Sequence, residues 1–182
     1  MKNLRWMIVA AVLFGITLLL QGWTRFSDLT HQREWQAETV ETAEGELSGI
    51  RVAVREAQAA VVDSKPDRGL LFVRIDLQGA AADIRSWVNC RVSLRASDGR
   101  IWMPLTGPEV QGAIQILASD AKDNGRCDLS RVRDQESTVF DQVYRIPTAA
   151  LEDLTLYVSG YGTRPEALSF VLKPEVRTFK TQ

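Results

Sequence analysis

Leu70-Leu71-Phe72-Val73-Arg74-Ile75-Asp76-Leu77 is the stretch that sets the fold class of this chain. Leu71, Val73, Ile75 and Leu77 recur at every second position, the period of a strand with one face against a core. Just before it, Lys65-Pro66-Asp67-Arg68-Gly69 combines residues that preset a turn. Further back, Ile50, Val52 and Val54 alternate with Arg51, Ala53 and Arg55, and Val61 and Val62 begin another apolar patch. Going forward, Gly79–Asp83 supplies a loop and Trp87–Ala96 is extended. Ser97-Asp98-Gly99-Arg100 is a hairpin-type turn, with Ile101–Leu105 as its return strand. Pro104, Gly107 and Pro108 interrupt pairing, Ala113–Leu117 is a short apolar segment, and Ser119–Glu136 is a long polar loop. Thr138–Ile146, Leu154–Val158 and Ser169–Leu172 again read as strands, with a helical turn at Pro147–Glu152. About seven or eight short strands separated by turns are the pattern of an antiparallel sandwich or barrel.

The amino-terminal end has a different character. Between Arg5 and Arg25 lie 19 consecutive uncharged residues, centred on Met7–Leu20, with Trp6 and Trp23 near the ends. As a helix, such a run reaches roughly 28 Å, close to the thickness of a bilayer's hydrocarbon. Lys2 and Arg5 precede it and acidic residues follow it, the asymmetry that keeps an amino terminus in the cytosol. A cleaved signal peptide also has a basic start and an apolar core, but no small-x-small pair follows Leu20. The expectation is therefore a retained anchor over 1–25, with the lipid bilayer as partner through residues 6–24. A polar stalk over 26–48, a sandwich domain over 49–174 and a tail over 175–182 follow. The corresponding location is the bacterial inner (cytoplasmic) membrane, single-pass, with the amino terminus cytoplasmic and the carboxy-terminal domain periplasmic or extracytoplasmic.

The chain has 182 residues, 22 Lys and Arg, 23 Asp and Glu, and a formal net charge of −1. All acidic residues follow Arg25, so the part beyond the anchor is the more acidic. No strong positive field is present to replace phosphate counterions, which argues against a nucleic-acid binder.

Cys90 and Cys127 are the two cysteines. In an oxidising compartment their simplest use is a structural disulfide, closing a loop worth on the order of 4 kcal/mol in the ideal account. Independent thiols are the alternative; the spacing lacks the Cys-x-x-Cys arrangement of a redox centre. His31, the one histidine, falls in the stalk and leaves a histidine-dependent hydrolase or zinc centre without its residues. Asp120, Asp123, Asn124 and Asp128 form an oxygen-rich group, but Lys122 occupies a position the calcium-hand loop needs for a ligand. Neither Gly107-Pro108 nor Asn124-Gly125 has the glycine spacing of a phosphate loop. The expected set of catalytic, cofactor-binding and metal residues is empty.

Three tryptophans are candidate contact residues. Trp35 on the stalk could meet another membrane protein. Trp87 and Trp102 flank the expected hairpin and could offer indole faces to a sugar, or fill the core. Tyr157 and Tyr161 could join either arrangement.

Leu71-Phe72-Val73-Arg74-Ile75-Asp76-Leu77, then Val92-Ser93-Leu94-Arg95-Ala96-Ser97-Asp98-Gly99-Arg100, resembles a family of exported immunoglobulin-like domains of unknown function, common in bacterial lipoproteins and cell-surface proteins. Val139–Pro147 followed by Leu154–Val158 is similar to that family's closing half. The resemblance implies an accessory or adhesion-like domain and supplies no ligand and no active residues. The combined expectation is an all-β chain: an immunoglobulin-like antiparallel β-sandwich preceded by a single N-terminal transmembrane helix. Its expected function is that of a non-enzymatic single-pass envelope protein, making protein–protein contacts with an inner-membrane or envelope partner as an accessory subunit. The alternative is a periplasmic or surface module that binds a glycan or cell-wall polymer.

Overall fold

Leu71, Val73, Ile75 and Leu77 are each fully buried, at the centre of a computed structural model that describes residues 6, 11–22, 34, 36–127 and 137–180. They belong to β4 (Lys65–Gln78), which runs antiparallel between β3 (Ile50–Val62) and β7 (Ser137–Pro147). The far edge of β3 has two neighbours. β2 (Glu44–Leu47) pairs antiparallel with its first half, and β10 (Glu175–Phe179) pairs parallel with its second, Glu175 opposite Gln58 and Phe179 opposite Val62.

A second sheet is built from β1 (Gln36–Val40), β5 (Arg91–Arg95), β6 (Ile101–Trp102), β8 (Leu154–Ser159) and β9 (Glu166–Leu172), in the order β1-β9-β8-β5-β6. Here β1 lies parallel to β9. Both sheets contribute to one apolar core: Ile50, Val52, Phe140 and Ile146 from the first meet Leu94, Leu156, Leu168 and Phe170 from the second. Trp87, at the end of the short helix α1 (Ala81–Ser86), is the largest fully buried side chain in that core. Tyr144 is wholly buried there too, and burial alone pushes its phenol well above the usual range.

The outer face of the β3–β4–β7 sheet carries the helix α2 (Glu109–Leu117). Pro108 sits at its start, where a fixed φ and a missing N–H cost nothing. Val110, Ala113, Ile114 and Leu117 follow at three- and four-residue spacing and form one stripe. That stripe covers Ala60, Phe72 and Val143. Each fully buried large side chain in the cluster contributes about 1.5–3 kcal/mol before entropy is counted.

Two expectations are corrected here. The architecture is not an all-β, immunoglobulin-like antiparallel sandwich. It is a mixed α/β arrangement of two mixed sheets that do not close into a sandwich, each with a parallel pair at its edge. The residues that make those pairs, 36–40 and 175–179, come from stretches read as stalk and tail. Alternation along a strand records which face is buried and says nothing of a partner's direction, so parallel pairing was invisible.

The second correction concerns the membrane. Among the described residues, no helix is long and apolar enough to cross a bilayer. The bilayer as partner through residues 6–24, the single-pass inner-membrane location and the membrane-assembly role all rested on that span, and they fall with it. Trp23, His31, Trp35 and Asp128 lie outside the described residues.

Candidate ligand-binding groove

The turn Lys65–Gly69 does more than reverse the chain. Val62 stands opposite Lys65 and Val61 opposite Gly69, so Pro66, Asp67 and Arg68 bulge out of the β3 ladder. Arg68 still faces Pro147 across β7. The Thr148 hydroxyl donates to the Pro66 carbonyl at 2.6 Å and pins the bulge to the turn after β7. The Asp63 N–H donates to the Phe179 carbonyl at 3.1 Å and ties the hairpin tip to β10. Gly69 sits where the two chains close up, and a Cβ there would stand 3.2 Å from the Ala60 carbonyl oxygen, a tight contact.

Two open cavities flank this bulge, of about 670 Å³ and about 520 Å³. Both are lined by Arg68 and Arg145, so the two guanidinium groups stand between them on one side of the hairpin. Pro147 and Ala149 give one half apolar surface. Lys65, Leu70 and Val62 line the other. Asp67 is the acidic residue in the lining, 3.7 Å from Arg68, with both side chains about three-quarters exposed. A pair that open to water is weak and easily exchanged for another anion.

The acidic loop expected as a possible cation site is used differently. Arg74 projects from the outer face of β4 and grips Asp141 with Nε to Oδ1 at 2.8 Å and Nη2 to Oδ2 at 3.2 Å. The same guanidinium donates to Asp120 at 2.9 Å and to the Lys122 carbonyl at 2.8 Å. Hydrogen bonding to Asp141, opposed by burial and assisted by Asp120, holds the Arg74 guanidinium further above its usual range. The Lys122 N–H and then Arg74 hold the Asp120 carboxyl below the ordinary value. Asn124 donates twice to Asp141, and the Gly125 N–H donates to Asp123. Asp120, Asp123 and Asn124 are thus partners within a loop clamp. Among the described residues, no group of three or more His, Cys, Asp or Glu side chains is placed to hold a metal.

The candidate contact residues are scattered. Trp87 is 0% exposed and its ring lies against Gly160, which removes its face from any ligand. Trp102 is half-buried opposite Leu94, with the Arg100 guanidinium 5.2 Å from the ring centre. Tyr157 sits under Arg95 at 3.8 Å and Tyr161 under Arg164 at 5.7 Å. Arg95 also donates to Glu34 at 2.6 Å, and Glu34, its side chain fully buried, accepts from Ser159 at 2.5 Å. Burial lowers the Arg164 guanidinium, against the pull of Glu34. Among the described residues, these side chains are each engaged separately, Trp87 in the core and the others under an arginine.

Cys90 and Cys127 are side by side, with Cα atoms 6.1 Å apart, a separation a disulfide can span. Nonreducing peptide mapping of the native protein will recover the two cysteine peptides as one linked species. Free thiols at both positions would favour the alternative of independent thiols.

The groove residues Lys65, Arg68 and Arg145 were not singled out from the sequence. The first two lay in a turn signal, and the third is some 80 positions away on a strand whose neighbour alternation could not name.

No protein-family model and no curated protein matches the chain. Among solved structures, it is distantly similar to a candidate lipoprotein from Staphylococcus aureus, at 8% identity and a TM-score of 0.46, covering 77% of this chain and 96% of the other. It is also distantly similar to an uncharacterized β-sandwich protein from Clostridium difficile 630, at 10% identity and a TM-score of 0.42, covering 78% and 97%. The chain is therefore weakly similar to β-rich structures of this kind, and the immunoglobulin-like family suggested by residues 70–104 is not shown.

Proposed function

We propose that this chain is a non-catalytic module that binds a glycan or cell-wall polymer along the groove beside the β3–β4 hairpin. The observation that carries the reading is that two adjoining open cavities share Arg68 and Arg145 in their walls. A small-molecule site encloses most of its ligand, whereas an open trough touches one side of an extended chain and leaves the rest in water. Apolar surface from Pro147 and Ala149 suits the apolar faces of sugar rings, and the guanidinium groups supply directional donors. The groove rests on strand ends and a pinned bulge, so little ordering is needed on binding.

Two-dimensional NMR of the full chain, titrated with a panel of soluble glycans and wall-polymer fragments, tests this reading. The amides of residues 65–70 and 145–149 will shift with at least one panel member. Absence of any shift there across the panel, or shifts centred on Trp102, would sink it.

A further inference from the structure

The register of the first sheet sets cations at both ends of one row of side chains. Arg177 on β10 is opposite Ala60 on β3, Ala60 is opposite Leu70 on β4, and Leu70 is opposite Arg145 on β7. Directly opposed residues point to the same face, so this row runs Arg177, Ala60, Leu70, Arg145 across four strands. At about 4.8 Å per strand, its ends are about 14 Å apart. The middle of the row is small or apolar, and Ala60 and Leu70 form part of the groove floor. Lys65 and Arg68 lie on the hairpin side of the same floor. Among the described residues, Lys65, Arg145 and Arg177 have no carboxylate within ion-pair distance.

Three cations line the cavities against one carboxylate, Asp67, and Arg177 stands beyond them at the far end of the same row, an excess of positive charge in a chain whose formal net charge is −1. A like-charged group of this kind is held apart by water in the free protein and gains most from a ligand that brings anions at intervals. Guanidinium groups favour planar oxyanions, which they can bind through two parallel hydrogen bonds.

We infer that the groove selects a linear polyanionic glycan or wall polymer, with repeated phosphodiester or carboxylate groups bridging Arg145, Arg68, Lys65 and Arg177. This inference rests on the polymer-binding reading above and narrows its ligand. The linings of the two cavities contain no aromatic ring on which a base could stack; Phe179, on the face of β10 that carries Arg177, lies beyond them, and the oligonucleotide arm of the test addresses it.

The test is calorimetric titration of the full chain with four probes: a poly(glycerol phosphate), a polygalacturonate, neutral dextran and a single-stranded deoxythymidine oligonucleotide. Either of the first two will bind, and which one does so identifies the anion. Affinity will fall at least about tenfold between about 0.05 M and about 0.5 M sodium chloride. Arg145→Gln, Arg68→Gln and Arg177→Gln will each weaken it about tenfold, while Arg100→Gln, a charge-matched change on the other sheet, will leave it unchanged. Unaltered thermal melting of each variant will show that the fold persists. Dextran binding as tight as the polyanions, or the oligonucleotide binding as tightly, would overturn the polyanion inference while leaving a groove that binds polymer. No binding by any probe, with no NMR shift in the groove, would overturn both.

Discussion

Arg74→Met will destabilise the fold by about 3–5 kcal/mol, because it strands Asp141 as a buried carboxylate without its cation. The Asp141 side chain is fully buried, and Arg74 supplies two of its hydrogen bonds. The remaining donors come from Asn124, which belongs to the loop that Arg74 itself holds through Asp120 and Lys122. One substitution thus leaves a charge unpaired and frees the segment that partly solvates it. Chemical denaturation with urea measures the loss. The double variant Arg74→Met, Asp141→Leu will regain most of it, since replacing both partners removes the stranded charge. If the single variant melts like the native protein, Asp141 is not buried as described.

Trp87→Ala will cost a comparable amount, about 3–5 kcal/mol. The indole is 0% exposed and lies among strands of both sheets, so truncation leaves a cavity that neither sheet can fill without moving the other. Its N–H has no partner among the described residues, so the loss is one of packing. Gly160→Val will destabilise from the opposite side. A Cβ at Gly160 would stand 2.8 Å from the indole ring and 3.0 Å from the Trp87 backbone. Denaturant midpoints for the two single variants and the combined variant will show non-additivity if ring and glycine pack as described. Strictly additive losses would place them in separate environments. For a domain of this size, whose net stability is about 5–15 kcal/mol, either substitution removes a large share.

The legible parts of this fold were those in which one residue's neighbours in sequence carry the signal. Leu71, Val73, Ile75 and Leu77 declared a buried strand face, and Ser97-Asp98-Gly99-Arg100 declared a turn. The helix α2 was within reach: Val110, Ala113, Ile114 and Leu117 have helical spacing, but Pro108 read as a break where it in fact begins the helix. Arg74 was not legible. It alternates with the core residues of β4 and so reads as solvent-facing, and it is buried because α2 and the loop after it cover that side. The groove was least legible of all, since Lys65 and Arg68 lie on one strand and Arg145 on another, and they come together through pairing alone.

The position of β10 bears on how the chain can be made. While the polypeptide is synthesised from its amino end, β3 can acquire β2 and β4 early, and β7 can dock on β4 later. The stretch Gln58–Val62, however, keeps an open hydrogen-bonding edge until residues 175–179 have been translated and released. An unpaired edge of this kind is a template for pairing with a neighbouring nascent chain. Contacts spanning over a hundred positions also form slowly once the chain is complete. Yield from a cell therefore depends on how well that edge is shielded between the appearance of β3 and the arrival of β10, a burden that falls on chaperones and dilution rather than on the finished molecule.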